Sequence, residues 1–149
     1  MKPIISKANI NDLDELSLLF DQYRIFYSMA SDVTRCKKFI TKRLSNKDSI
    51  IYLARVDNKA AGFIQIYPSF SSVAMKPTWV LNDLYVNQSF RKLGCAKSLM
   101  QHIEIEALRQ NIFSIKLSTA VDNHTAKHLY CSVGYTKINQ FDNYSLTPR

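Results

Sequence analysis

Apolar positions spaced three and four residues apart mark four stretches of the chain. This period predicts amphipathic helices near residues 11–27, 31–44, 94–110 and 122–133. Each helix would bury one apolar stripe and leave a polar face in water. Gly134, directly after the fourth stretch, is expected to end that helix in the left-handed conformation that glycine adopts without strain.

Runs rich in β-branched and aromatic residues separate these helices and predict strands. Two of the runs flank the sequence DNKA, in which Asp57 and Asn58 suit the tight turn of a hairpin. One or two further strands are expected near the end of the chain, in YTKINQFDNYSLT, whereas SFSSVAMKP reads as a loop or a strand edge. The other predicted strands are PIISKA, SIIYLARV, AAGFIQIYP, TWVLNDLYV and FSIKLSTAV.

The resulting order of elements is β, α, α, β, β, β, α, β, α, β, with room for one more strand. Such alternation predicts an α/β fold with a mixed sheet flanked by helices, in which the strand–helix–strand unit around Gly94 is parallel. A single domain over residues 1–149 is expected, because 149 residues with 46% hydrophobic content suffice for one core and no linker or repeat interrupts them.

Charge narrows the range of partners. The 20 Lys and Arg residues against 12 Asp and Glu residues give a net charge of +8. This excess favours an anionic partner, which could be a nucleic acid, an acidic surface or a phosphorylated small molecule.

Cysteine usage and hydropathy indicate the cytoplasm. Cys36, Cys95 and Cys131 are odd in number and far apart, which matches neither a disulfide framework nor a zinc site. The N-terminal segment lacks the apolar core of a secretion signal, and no run of about eighteen apolar residues occurs. We therefore expect neither secretion nor a membrane span.

The sequence SFRKLGCAKSLM joins a predicted strand to a predicted helix that begins at or near Gly94. The first amides of a helix have no partner within the helix, and they lie at the positive end of its dipole. Together with Arg91 and Lys92 they can bind a phosphate; alternatively, Gly94 only permits a tight turn and the cations are solvated. The P-loop and dinucleotide motifs are absent from the sequence, which has 3 Gly.

The same segment resembles the Q/R-x-x-G-x-G/A signature of the GCN5-related N-acetyltransferases (GNAT), with Arg91, Gly94 and Ala96 at the three defined positions. The preceding LNDLYV is similar to the central strand of that family, and LSTAVDNHTAKHLYCSVGY is similar to its later segment. The resemblance covers residues 79–135. It implies a GNAT-like single domain whose mixed sheet is mostly antiparallel.

The resemblance implies acetyl-coenzyme A as co-substrate and no metal. Strand backbone would pair with the pantetheine arm, and loop amides would hold the pyrophosphate. Asn123 is either a helix cap or a further cofactor contact, and Cys95 is read as filler, not as a nucleophile. The strand residues are Leu84, Tyr85 and Val86, and the loop residues are Arg91, Lys92, Leu93, Gly94, Cys95 and Ala96.

Acetyl transfer to an amine needs a neutral nitrogen and a proton for the leaving thiolate. By resemblance, Tyr130 is the candidate acid, although it also completes an apolar helix stripe. Asp83 is a carboxylate in an otherwise apolar strand, so it must have a partner. It is read either as the base or amine anchor or as a structural hydrogen-bonding group.

The acceptor is expected to contact Asn82 and the aromatic residues Tyr23, Phe26 and Tyr27, since aromatic faces suit a cationic amine. Core packing is the alternative for Tyr23. A small polyamine-like or amino-acid-like amine is favoured over a protein amine. Because His124 and His128 lack an accompanying Glu and a third ligand, no metal site is expected.

Two other functions compete with direct acetyl transfer. One is a non-catalytic domain that binds coenzyme A as a regulator. The other is a basic nucleic-acid-binding module, which is disfavoured because Lys and Arg are scattered along the sequence and no nucleic-acid motif occurs. Relatives of this compact length often dimerise, so the resemblance also suggests a homodimer.

Overall fold

The computed structural model describes residues 2–149, which fall into two compact units that meet in sequence between Ser118 and Thr119. The second unit holds the helix α4 (His124–Ser132). In the first unit, short 3-10 turns occupy Ile10–Asp12 and Gln88–Phe90. Its main elements are β1 (Ile4–Lys7), α1 (Leu13–Phe26), α2 (Val33–Asn46), β2 (Ile50–Val56), β3 (Lys59–Ser71), β4 (Lys76–Val86), α3 (Cys95–Arg109) and β5 (Ile115–Lys116).

The five strands form one mixed sheet in the order β1-β2-β3-β4-β5. The first four strands pair antiparallel, whereas β4 and β5 pair parallel and are connected through α3. The predicted α/β class, the mostly antiparallel sheet and the parallel strand–helix–strand unit around Gly94 are therefore confirmed.

The predicted hairpin at DNKA is also present. Val56 of β2 pairs with Lys59 of β3, and both turn residues are left-handed, with φ of 50° at Asp57 and 66° at Asn58. Two positive φ angles define the type I′ turn, whose twist matches that of the flanking strands.

The sheet carries helices on both faces. Helices α1 and α2 cover one face, where Leu16, Leu19 and Ile40 pack with Phe63 of β3 in a continuous apolar core. Helix α3 covers the other face, and the His102 ring lies 4.7 Å from that of Tyr52 on β2. The apolar stripes read from the sequence thus cover opposite faces of one sheet.

A β-bulge interrupts the pairing of β3 with β4. Ile66 pairs with Leu81 but the preceding residue, Gln65, pairs with Asp83, so Asn82 is the extra residue. A bulge shifts the alternation of side chains by one position. As a result Asp83 lies on the α1/α2 face with Phe63, whereas Leu81 lies on the α3 face.

Two strand expectations need correction, and SFSSVAMKP, expected to be a loop or a strand edge, contains both strand and turn. The expected strand FSIKLSTAV contains only Ile115–Lys116, and within the described residues no strand follows Lys116, so the terminal strands expected in YTKINQFDNYSLT are wrong. A strand requires a hydrogen-bonded neighbour, and Phe141 and Tyr144 are instead 71% and 94% exposed. Conversely, β3 and β4 extend into SFSSVAMKP as far as Ser71 and back from Lys76, because the two strands pair up to their ends.

Candidate active site

Asp83 is a buried carboxyl group on the α1/α2 face of the sheet, with 3% of its surface exposed. One oxygen accepts a hydrogen bond from Gln65 Nε2, and the other accepts one from Asn82 Nδ2 at 2.9 Å. Side chains of consecutive residues point to opposite faces in a regular strand, so the bulge makes the Asn82 contact possible.

Burial raises the pKa of Asp83 above its ordinary value, although hydrogen bonds from Gln65, Tyr23 and Asn82 act in the opposite direction. Removing a carboxylate from water disfavours its charged form. A carboxyl group with a raised pKa has a greater proton affinity than an ordinary carboxylate, which favours it as a proton acceptor.

Tyr23 of α1 links this carboxyl group to a cluster of aromatic rings. Its hydroxyl group donates to Asn82 O at 3.5 Å, and burial followed by the charge of Asp83 raises the pKa of the phenol, so it stays protonated. The ring of Tyr23 lies 5.0 Å from that of Tyr27 and 6.3 Å from that of Tyr85. Tyr23 therefore packs against the core and also lies close enough to Asp83 for that charge to act on its phenol.

The outer members of the cluster are open to solvent. Phe26 and Tyr27 are 59% and 52% exposed, and their rings meet edge to face at 5.3 Å. Tyr67 of β3 is half-buried on the same face of the sheet as Asp83. Burial is the larger cause that raises the pKa of the Tyr67 phenol, and the charge of Asp83 is the second. An aromatic rim with a buried carboxyl group beneath it can hold a cationic amine.

The loop before α3 has the geometry expected from the sequence. Gly94 is the N-cap of α3 with φ of 81° and ψ of 13°, a left-handed conformation that favours glycine. The first helical bond runs from Ser98 N to Gly94 O, so the amides of residues 95–97 lie outside the helical ladder. A Cβ added at Gly94 would meet no atom within 4 Å, which leaves this helix end open.

The cations of the loop differ in their surroundings. Arg91 is exposed, but its Nε donates to Val86 O at 3.2 Å and its guanidinium lies 5.9 Å from the Tyr85 ring. Lys92 is also exposed and has a left-handed φ of 63°. Arg91 is thus held at the end of β4, where it adds positive charge next to the helix terminus.

The remaining loop positions are packed to different degrees. Leu93 is 38% exposed, Ala96 is half-buried, and Cys95 is buried with its Sγ 3.9 Å from Phe90 O. Burial raises the pKa of the Cys95 thiol, which disfavours the nucleophilic thiolate.

The second half of β4 has an open edge. Strand β5 pairs with β4 only at Trp79 and Val80. Beyond Val80, no strand among residues 2–149 pairs with that edge, so the backbone of Leu84, Tyr85 and Val86 is not in a ladder on the β5 side. An extended ligand with amide groups can pair with such an edge.

The second unit holds the two other predicted site residues. Asn123 caps α4, where its side chain accepts a hydrogen bond from Ala126 N at 3.2 Å. Tyr130 is half-buried in α4, with its ring 6.2 Å from that of Tyr135. Gly134 has φ of 101° and forms, with Tyr135, the paired C-terminal bonds of a Schellman motif, as the sequence predicts.

Gln65 is a site residue that the sequence pattern did not single out. It lies directly opposite Asp83 in the register, is fully buried and donates to the carboxyl group. The available signal is a lone amide within the apolar strand AAGFIQIYP, since a buried polar side chain requires a partner just as Asp83 does.

Two kinds of feature are absent from residues 2–149. No group of three or more His, Cys, Asp or Glu side chains is placed there to hold a metal ion. No helix in the same range combines the length and apolar character needed to cross a membrane.

Comparison with known proteins identifies the class. The sequence model of the Acetyltransferase (GNAT) family matches residues 14–135, which is more than half of the chain. The fold and this match together define an acetyltransferase. The chain belongs to the GNAT family, as the loop signature predicts.

Individual relatives agree with this assignment. Over 142 residues the chain is 36% identical to YhfO, an uncharacterized N-acetyltransferase of Bacillus subtilis, covering 95% of each chain. It is 40% identical to a crystal structure of a probable acetyltransferase, with a TM-score of 0.93 and 98% of each chain covered. A predicted acetyltransferase from Clostridium acetobutylicum with acetyl-CoA shares the fold at 15% identity, with a TM-score of 0.75 and 96% of each chain covered.

Proposed function

We propose that this protein transfers an acetyl group from acetyl-coenzyme A directly to a small primary amine in a ternary complex. The observation that carries the proposal is the buried Asp83 carboxyl group beneath an open aromatic rim. It lies in the strand that leads, eleven positions later, to the open helix terminus at Gly94.

The donor would be held by the loop and by the end of β4. The amides of Arg91, Lys92, Leu93, Gly94, Cys95 and Ala96 are the proposed pyrophosphate contacts, supported by the exposed positive end of α3. The backbone of Leu84, Tyr85 and Val86 would pair with pantetheine, supported by the open edge of β4. The bound thioester supplies the acetyl group. The Clostridium acetobutylicum protein, whose structure was determined with acetyl-CoA, also supports this donor.

Asp83 is the proposed base and amine anchor. An alkylamine with a pKa near 10.4 is neutral to only about one part in two thousand at pH 7, so a group that accepts its proton assists the reaction. Tyr23, Phe26 and Tyr27 would surround the acceptor, and Asn82 would hold the carboxylate toward it. A small polyamine-like or amino-acid-like amine fits a single carboxyl group inside an aromatic rim.

Tyr130 is the proposed acid that protonates the leaving thiolate, and Asn123 a proposed cofactor contact in addition to its role as a cap. Both assignments rest on the family resemblance. We propose that residues 1–149 act as one catalytic domain, because the family match continues from the first compact unit into the second. The free cysteines among residues 2–149 support a cytoplasmic location. Analytical sedimentation would test the homodimer that the family resemblance suggests.

Two assays test the function. Acetyl-CoA at one hundred times its Kd should stabilise the protein by about 3 kcal/mol in thermal unfolding. Thiol release with acetyl-CoA and a panel of polyamines and amino acids should then show turnover for a subset of the amines. Stabilisation without turnover by any amine would instead support a regulatory coenzyme A-binding domain, and absence of both effects would refute the proposal.

A matched pair of variants tests the acid. Tyr130→Phe should lower kcat far more than it weakens acetyl-CoA binding, whereas Tyr144→Phe, at a position that is 94% exposed, should leave both unchanged. Wild-type turnover of Tyr130→Phe would remove Tyr130 from the mechanism.

A further inference from the structure

We propose that Gln65 is a positioning residue that partners the Asp83 carboxyl group in both of its protonation states. This inference deepens the proposed function and rests on it, because it assumes that Asp83 exchanges a proton with the acceptor amine. Nothing in the family signature or in the aromatic rim depends on Gln65.

Of the two residues that pair with Gln65 on the neighbouring strands, one is polar. Asp83 pairs with it from β4, and the buried apolar residue Ile51 pairs with it from β2. The amide Nε2 lies 2.5 Å from Asp83 Oδ2. Donation of this N–H to a desolvated carboxylate is a charge-assisted hydrogen bond, one of the stronger polar contacts in a protein interior.

The other end of the amide is not held. Gln65 Oε1 is buried, and no donor within residues 2–149 hydrogen-bonds to it. The two ends of an amide are nearly equal in size, so rotation by 180° would place Oε1 beside Asp83 Oδ2. That rotation breaks no protein hydrogen bond except the one to Asp83.

The two orientations match the two protonation states of the acid. With Asp83 ionised, Nε2 donates to the carboxylate. When an N–H bond of the acceptor ammonium breaks, the nitrogen keeps the electron pair and a new O–H bond forms at Oδ2. The turned amide then accepts this O–H through Oε1. The proton stays on Asp83 until it returns to solvent after product release.

The two phenols whose pKa responds to the charge of Asp83 do not change charge during this exchange. Tyr23 from α1 and Tyr67 from β3 are phenols whose pKa burial raises, so both stay neutral. Arg43 of α2 is paired with Asp48 at 3.0 Å, and both act on Tyr67. Gln65, by contrast, is a fully buried neutral amide, and its one hydrogen-bond partner among the described residues is Asp83.

The test is the titration of the Asp83 carboxyl carbon, followed by ¹³C NMR in the full chain without substrate. Gln65→Met keeps the volume and removes both the donor to the carboxylate and the acceptor for the protonated acid. Because the bond to the charged carboxylate is the stronger of the two, the midpoint should rise by about one pH unit. The acid limb of the kcat/KM profile should move by the same amount. The matched control Gln101→Met, at an exposed position of α3, should leave the midpoint and the profile unchanged.

A second variant keeps the proposal testable if Gln65→Met does not fold. Gln65→Glu preserves shape and places two carboxyl groups in contact, so Asp83 should titrate in two coupled steps instead of one. An unchanged midpoint in Gln65→Met, or a single wild-type step in Gln65→Glu, overturns the role of Gln65. If the two variants show the expected NMR changes but the wild-type protein transfers no acetyl group, only the proposed function is overturned.

Discussion

Replacement of Asp83 by Asn should stabilise the free protein at neutral pH. The carboxyl group is only 3% exposed and its pKa is raised by burial, so ionisation of Asp83 destabilises the native state. Asn has almost the same shape, and its oxygen can accept from Asn82 while its NH2 group donates to Oε1 of a turned Gln65, yet it carries no charge. The gain in stability would accompany a loss of acetyl transfer, as is common where an active site stores strain.

The sign and size of this effect follow from proton linkage. Because the pKa of Asp83 is higher in the native than in the unfolded chain, its contribution to stability is complete below the unfolded value of about 3.8 and is lost as pH rises through the native value. Between the two values the free energy of unfolding of wild type should fall by about 1.4 kcal/mol per pH unit relative to Asp83→Asn. For a chain of this length that is about 4 °C in Tm.

Thermal unfolding of both proteins from pH 3 to pH 8 measures the difference. The two curves should lie closest below pH 4 and separate as the pH rises, with Asp83→Asn the more stable protein. Asp142→Asn removes a carboxyl group at an exposed position and serves as the control. Parallel curves for wild type and Asp83→Asn would refute the claim that burial of this carboxyl group governs its titration.

Three further predictions concern other parts of the first unit. Burial alone would raise the pKa of Asp21, but hydrogen bonds from the Asp32 amide and the Ser31 hydroxyl group lower the pKa overall. The ionised carboxylate therefore stabilises the fold above pH 3.8, and this stabilisation is lost below that pH. Asp21→Asn should flatten the acid side of the curve of Tm against pH. Gly94→Ala should cost about 1 kcal/mol in denaturant unfolding and weaken acetyl-CoA binding in calorimetry, because a side chain at φ of 81° is strained; unchanged values for both would contradict this. Gly62→Ala should cost about 1–3 kcal/mol in the same unfolding assay, since its Cβ would lie 2.6 Å from Tyr85 O, and wild-type stability would show that β4 shifts freely.

Local patterns made much of the fold predictable from the sequence. The apolar stripe of Leu13, Leu16 and Leu19 does face the core, and Asp57 with Asn58 forms the hairpin turn. These features depend on side-chain periodicity and on backbone preferences of single residues. Both are properties of neighbouring positions in the chain, so one sequence is enough to show them.

Features that depend on distant pairing were less accessible. Every second residue of this part of β4 is buried, which matches a regular strand: Trp79, Leu81 and Asp83. The bulge nevertheless puts Asp83 on a different face of the sheet from Leu81. The alternation alone cannot reveal this, because the register is set by β3. The same limit explains the missing terminal strands, since the apolar character of Phe141 does not provide a neighbouring strand to pair with.

The candidate site divides in the same way. The start of α3 near Gly94 was predictable because the apolar helical stripe begins at Ala96 and the residues before Gly94 lack that period. The need of Asp83 for a partner was also predictable from its apolar strand. The identity of that partner was not, because Gln65 meets Asp83 only through the register of β3 with β4.

The open edge of β4 also has a consequence for the handling of the protein. A strand edge with unpaired amides is a template for another chain and therefore a route to aggregation. Pairing with β5 stops after Val80, so within residues 2–149 no strand covers this side of the following segment until something occupies it. Solutions without acetyl-CoA should precipitate more readily during concentration, and adding that ligand during purification should improve the yield of dispersed protein.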